Sequence, residues 1–341
     1  MISLLDPIQI GEIHLPNRVI MSPLTSLRGT PEHIPTQLMA EYYAQRAGAG
    51  LIISEGIPVI PQGVGYANVP GIWSTDQIEA WKLVTKAVHK AGGRISDPRF
   101  LDGKLPVAPS AIRPACHVSL VRPPSDYVTP RALEITELPG IVEAFRKGTE
   151  NAKVAGFDGV EIHGANGYLL DQFLQDGSNH RTDEYGGPIE NRARLMLEVA
   201  DAVVSILGAK RVGMHLAPRG DSQDMHDSNP PATFGYVARE LGRRELSFLF
   251  AREYFGPDRL GPQLKKQFGG VYIANEKYTL AQANQVIADG EADAVAFGQL
   301  FIANPDMPAR FTSKAPLNVP DGSTFFTSGP HGYTDYPALS V

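Results

Sequence analysis

The sequence predicts an α/β protein folded as a closed barrel of eight parallel strands, and three observations predict it. Short apolar runs alternate with amphipathic stretches along the chain, the order in which strands and covering helices build a parallel sheet. The runs are apolar along their whole length, as strands covered on both faces must be. The 341 residues exceed the roughly 100–200 of an ordinary domain but suit one (β/α)8 barrel. No Gly-x-Gly-x-x-Gly follows a strand, which weakens the competing reading of an open dinucleotide-binding sheet.

In chain order, the expected strands are Arg18–Met21, Gly50–Ser54, a third beginning at Gly93, then Gly159–Ile162, Arg211–Leu216, Phe248–Ala251, Gly270–Ala274 and Ala294–Phe297. Helical spacing of apolar residues marks Gln37–Ala47, Thr75–Ala91, Pro139–Ala155, Glu190–Ile206, Ala232–Arg243 and Leu280–Ala288. Ser74 and Thr136 stand at N-cap positions for the second and third of these, and Gly92 is a stop for the second. In the fourth, Leu195, Val199, Ala202, Val203 and Ile206 lie on one stripe. The third strand is the difficulty. Gly93-Arg94-Ile95 runs at once into Ser96-Asp97-Pro98, which is turn chemistry, and a proline cannot donate to a central ladder. Residues 1–341 therefore read as a single TIM-barrel domain whose third strand is truncated to a stub.

Composition narrows the function. Hydrophobic residues make up 43% and charged residues 20% of the chain, a globular balance. With 31 Lys and Arg against 37 Asp and Glu, the net charge is −6, and no basic block suggests nucleic acid as a partner. The single cysteine, Cys116, can form neither an internal disulfide nor a cysteine metal cluster. It lies in a Pro-rich loop beside His117 and reads as an inert thiol. The start of the chain has no basic region followed by a long apolar run, and no stretch approaches the roughly 20 apolar residues of a membrane span. The expectation is a cytoplasmic protein, a monomer or homodimer.

In barrels of this kind, chemistry sits where the strands end. The richest segment is Glu161-Ile162-His163-Gly164-Ala165-Asn166-Gly167-Tyr168, just past the fourth strand. An imidazole and a carboxamide there can donate to one carbonyl oxygen, with a phenolic proton nearby. The same residues also suit ordinary loop packing. Downstream, His215, Asp221, Asp224, His226 and Asp227 lack the spacing of a metal site, so no metal is expected. Asp183-Glu184 reads as a brace for the loop after strand four.

Taken with Leu15-Pro16-Asn17-Arg18, Ser22-Pro23-Leu24-Thr25, Glu41-Tyr42-Tyr43-Ala44-Gln45-Arg46, Glu55-Gly56, Gly65-Tyr66, Phe301-Ile302-Ala303-Asn304-Pro305-Asp306 and Gly332-Tyr333, this segment resembles the Old Yellow Enzyme family of FMN-dependent NAD(P)H:flavin oxidoreductases and ene-reductases. The resemblance runs over nearly the whole chain. It implies FMN as cofactor, NADH or NADPH as reductant and a small activated alkene as substrate. It also implies that His163 and Asn166 hold the substrate carbonyl and that Tyr168 protonates the α-carbon. Thr25 would hydrogen-bond the flavin ring, and Ser22, Pro23, Leu24 and Gly56 would line it. Backbone around Glu276, Lys277 and Gly298 would cradle the phosphate, with Tyr66 over the substrate pocket and Phe326 in its wall.

Three departures stand against this pattern. The family's Gln-Leu-Trp-His run on the third strand is missing. His215 and Gln299 stand where arginines that contact the flavin and its phosphate are common. A protonated His215 could partly replace the lost charge. The missing run has three readings: a short excision between Ile95 and Ser96, which the flanking sequence favours; a strand rebuilt in shifted register from Arg94-Ile95-Ser96 and the residues after Pro98; or a barrel that has lost flavin chemistry. In the last case the chain would be a scaffold or ligand binder, or would use His163 and Tyr168 for flavin-free acid–base chemistry on a carbonyl compound.

Overall fold

The structure is a computed structural model that describes residues 2–100, 107–117, 126–220 and 222–339, with the backbone alone for 98–100. Eight parallel strands close into a barrel: β1 (Val19–Met21), β2 (Leu51–Ile53), β3 (Ile95–Phe100), β4 (Gly159–Gly164), β5 (Val212–Leu216), β6 (Phe248–Arg252), β7 (Val271–Asn275) and β8 (Ala294–Phe297). Each pairs with its neighbours in sequence, and β8 closes onto β1 with Val295 level with Val19.

The expected stub is overturned, because β3 is complete. Ile95 pairs with Ile52 of β2, and Ser96 to Arg99 pair with Gly159 to Ile162 of β4. The reason lies in which neighbour each backbone group faces. The carbonyls of Arg94 and Ser96 accept from Ile52 and Ser54 on the β2 side, whereas that of Ile95 accepts from Asp158 on the β4 side. Pro98, two residues beyond Ser96, thus turns its missing N–H toward the gap between the end of β2 at Ile53 and the short Ile57–Pro58 strand that pairs with Arg99 and Phe100. A proline is tolerated where the ladder needs no donor. Of the three readings of the gap, the strand rebuilt through and beyond Ser96 is the one the pairing shows, and it is compatible with an excision between Ile95 and Ser96.

The main helices are α1 (Gln37–Gln45), α2 (Thr75–Lys90), α3 (Leu138–Ala155), α4 (Arg194–Leu207), α5 (Pro230–Arg243), α6 (Gly261–Phe268), α7 (Leu280–Ala288) and α8 (Met307–Ser313). Ser74 caps α2 as expected, in a reciprocal box with Gln77. Thr136 does not cap α3: a 3-10 turn over Ile135–Glu137 leads into the helix instead, and Glu134 and Glu137 form the box. The stripe of α4 is also shifted, with Leu195, Met196, Val199, Ala200 and Val203 buried and Ala202 and Ile206 only half-buried. Among the described residues no helix is long and apolar enough to cross a membrane.

Two layers of core result. Outward side chains of the strands, such as Ile52, Ile95, Val160, Ile162 and Met214, pack under the helices. A smaller inner cluster holds Ile20, Leu51, Ile53, Phe248, Phe250, Ile273, Ala294 and Ala296, closed at the base by Ile10 and Leu15 of an antiparallel hairpin. The Tyr42–Arg46 segment bonds the ring shut between α1 and the region after β8. The fully buried Arg46 guanidinium donates to the carbonyls of Phe301, Ile302 and Tyr333, and Tyr333 stacks on Tyr42 at 3.8 Å. The tail that carries Tyr333 therefore packs on its own barrel.

Candidate active site

The inner face of the barrel changes character at β3 to β5. Parallel register sets Glu161 level with Gly213, and His163 level with His215, and alternation along each strand turns all four inward. The two imidazoles meet edge to face with centroids 4.9 Å apart, and His215 lies 4.3 Å from the ring of Phe250. Burial dominates their electrostatics. It holds His163 well below the ordinary histidine range, helped by His215 and Arg252, and it pushes His215 down to about 3, helped by Arg252. Both rings are thus neutral at pH 7. The protonated His215 entertained from the sequence is corrected: the ring is 3% exposed and too poorly solvated to hold a charge.

Beyond His163 the chain makes a tight left-handed turn, with φ of 59° at Asn166 and 76° at Gly167. Asparagine and glycine tolerate that conformation. At Gly167 a Cβ would come within 2.9 Å of the Ser222 carbonyl oxygen. The turn is pinned by Asp171, whose carboxylate accepts from the Gly167 N–H at 2.9 Å and from the Gln175 amide at 2.7 Å. Burial raises the Asp171 carboxyl to about 7. Tyr168 follows, its ring 5.4 Å from that of His163 and its hydroxyl 3.2 Å from the hydroxyl of Tyr66. His163, Asn166, Tyr168 and Tyr66 are therefore brought together.

Two side chains that sequence reasoning missed complete the arrangement. Arg252, at the end of β6, donates to the Asn166 side-chain oxygen at 2.8 Å, to Ser222 at 3.0 Å and to Glu276 at 2.5 Å. Holding that oxygen leaves the Asn166 NH2 as the free donor. The signal was the strand itself: extending the run Phe248–Ala251 by one residue puts Arg252 at the strand end where function gathers. Asn275, at the end of β7, donates to the Ser22 hydroxyl and to the Ala296 carbonyl, both at 2.8 Å, and ties β7 to β1 and β8.

A cavity of about 630 Å³ opens beside these groups, lined among others by Ser22, Pro23, Leu24, Asn166, His215, Arg252, Asn275, Glu276, Lys277, Gly298 and Gln299. Thr25, Gly56 and Phe326 are not in that lining, and Phe326 is 48% exposed. Glu276 and Lys277, also in the lining, have φ of 108° and 54°. The segment after β5 is structural. Asp227 accepts from Arg192, Thr233 and Asn229, and Asp224 accepts from the Ala115 N–H, while Asp221 lies outside the described residues. Asp183 braces its loop by accepting from Arg181 and from the Tyr185 N–H.

A (β/α)8 barrel with two imidazoles, a carboxamide, a phenol and a cavity at its strand ends has the architecture of a small-molecule enzyme. The comparisons make that specific: residues 3–318 match the NADH:flavin oxidoreductase / NADH oxidase family, and the chain belongs to it, the family of the Old Yellow Enzymes. It is 44% identical to a putative 12-oxophytodienoate reductase 3 of Oryza sativa subsp. japonica over 99% of this chain and 93% of that one. It is 39% identical to a probable flavin mononucleotide-dependent alkene reductase of Leishmania infantum, covering 98% and 97% of the two chains. Among solved structures, the old yellow enzyme homologue of Zymomonas mobilis superposes with a TM-score of 0.96 at 42% identity over 99% of this chain and all 100% of that chain. Morphinone reductase in complex with tetrahydroNAD gives 0.95 at 46% identity over 100% and 98%.

Proposed function

We propose that the chain is an FMN-dependent ene-reductase, in which NAD(P)H drives reduction of the C=C bond of small α,β-unsaturated carbonyl compounds. The cavity fits the cofactor. It has the volume of a built ligand site. His215 lines it, with both ring nitrogens lacking a hydrogen-bond partner among the described residues. One contact is fewer than the family's pattern implies: Pro98 stands level with Glu161, and proline offers no side-chain amide. Ser22, Pro23, Leu24 and His215 would hold the ring system. The backbone at Glu276, Lys277 and Gly298 would hold the phosphate, with Lys277 and Gln299 at the exposed rim.

FMN held here would supply the hydride chemistry, from NAD(P)H to the alkene β-carbon. The chain supplies the rest. Neutral His163 and the Asn166 NH2 donate to the substrate carbonyl and stabilise the charge that grows on its oxygen. Arg252 keeps the Asn166 amide turned to donate. Tyr168 delivers the proton to the α-carbon, and Tyr66 shares a hydrogen bond with it. The partners on this reading are small molecules, acting on one chain or on each chain of a homodimer, in the cytoplasm.

The proposal is carried by the contact of His163 with Tyr168 and with His215, and by Asn166 and His215 lining one cavity. The test is anaerobic turnover of 2-cyclohexen-1-one with FMN-loaded protein and NADH or NADPH. Saturated ketone should form, and Tyr168→Phe should lower the rate by about 10²–10⁴-fold. Flavin-loaded protein that leaves the alkene untouched would refute the assignment. Proton exchange at a ketone α-carbon without FMN would favour the acid–base alternative.

A further inference from the structure

We propose that the flavin-free barrel binds one divalent first-row transition metal ion through Glu161, His163 and His215. One potential ligand atom from each of these three side chains lies within 4.8 Å of the other two. The set is built by the sheet: Glu161 and His163 share the inner face of β4, and His215 is the lateral neighbour of His163 on β5. Two imidazoles and one carboxylate on a single face, with the remaining positions open to a cavity, are a ligand set that suits zinc, cobalt or ferrous iron.

Glu161 is an independent pointer. It is 0% exposed, and neither carboxylate oxygen has a hydrogen-bond partner among the described residues. The His215 Nδ1 atom lies 3.3 Å from Glu161 Oε1, but without hydrogen-bonding geometry. A carboxylate buried without partners is costly, and coordination to a cation is one of the few ways to satisfy it. Metal–ligand bonds of about 2.0–2.2 Å place tetrahedral ligand atoms about 3.3–3.6 Å apart. The Glu161–His215 pair already has that separation, and the His163 ligand atom lies within 4.8 Å of both.

His215 lines the cavity, which gives the ion an entry path. Arg252, whose charge acts on both imidazoles, is paired with Glu276, which offsets its repulsion of a cation. Metal at this position occupies His163, so it and a carbonyl ligand exclude each other. The proposal does not rest on flavin binding.

The experiment uses the whole chain, freed of flavin and metal by dialysis against chelator and then titrated with ZnCl2 in a calorimeter. One equivalent should bind. Because loss of a supporting contact alone costs 10–100-fold in metal affinity, Glu161→Gln and His215→Gln should each weaken binding by on the order of 100-fold. His331→Ala, which alters the exposed His331–Asp335 pair, should leave it unchanged. Zinc K-edge absorption of the unaltered chain is independent of how the variants fold and should show mixed nitrogen and oxygen ligation with two imidazoles. Failure to take up one equivalent, unchanged uptake by Glu161→Gln, or ligation without imidazole would overturn the proposal.

Discussion

The two halves of the barrel interior are built on opposite principles. From β6 through β8 to β2 the inward side chains below the strand ends are Phe248, Phe250, Ile273, Ala294, Ala296, Ile20, Leu51 and Ile53, a dry cluster with no polar atom to satisfy, while Arg252 and Asn275 stand at the ends of β6 and β7. From β3 to β5 they are Ser96, Glu161, His163 and His215, and the side-chain polar atoms of Ser96, Glu161 and His215 find no hydrogen-bond partner among the described residues. The seam between them is the contact of His215 with Phe250 at 4.3 Å. Apolar burial stabilises a fold through contacts already made, whereas unsatisfied buried groups are destabilising until something answers them. The dry half closes the barrel, and the polar half is left incomplete for a ligand.

Substitutions on either side of the seam should separate these roles. The largest effect is expected in the dry half: Phe250→Ala removes a fully buried ring and should cost about 3–5 kcal/mol of stability in urea unfolding. At the end of β6, where a side chain of the dry half reaches across to the polar one, Arg252→Met releases the Asn166 oxygen. Losing a charged hydrogen bond of about 1.5–3 kcal/mol should lower kcat/KM for an enone about 10- to 100-fold, with little change in melting temperature. Glu161→Met should act against the usual direction of core mutations. It replaces an unsatisfied carboxylate with an apolar chain of similar size and should stabilise the flavin-free protein by about 1–3 kcal/mol.

The effect that is smallest over any one pH unit is the pH dependence. His215 falls from 6.5 to about 3 on folding, so between those values the unfolded chain binds a proton that the folded chain refuses. Stability therefore drops as pH falls through that window, by up to about 1.4 kcal/mol per pH unit for one proton. Asp171 moves the other way, from 3.8 to about 7, so its contribution is full below 3.8 and is lost as pH rises through 7. Melting curves across pH should show His215→Gln flattening the acid limb and Asp171→Asn the limb toward neutrality. Equal slopes for wild type and both variants would contradict the burial assigned to these groups.

The dry half was the more legible in sequence. Phe248–Ala251, Gly270–Ala274 and Ala294–Phe297 are continuous apolar runs, and each became a strand within a residue or two of its expected bounds. The polar half was misread at β3, because Ser96-Asp97-Pro98 has local turn chemistry. Only the register with β2 and β4 reveals that the proline faces past a strand end. His163, Asn166 and Tyr168 were legible because six residues after a buried strand put them at the mouth. Arg252 and Asp171 were not. Their roles depend on side chains meeting across 86 residues in one case and on the geometry of a left-handed turn in the other.

The most direct test is the visible absorption spectrum of the purified chain after incubation with FMN and desalting. A retained oxidised-flavin spectrum that bleaches on adding NADH or NADPH is the predicted result, and it would mean that the rebuilt β3 leaves a working cofactor site in the polar half. A chain that folds, closes its barrel and yet emerges colourless would contradict the assignment of that half to flavin chemistry.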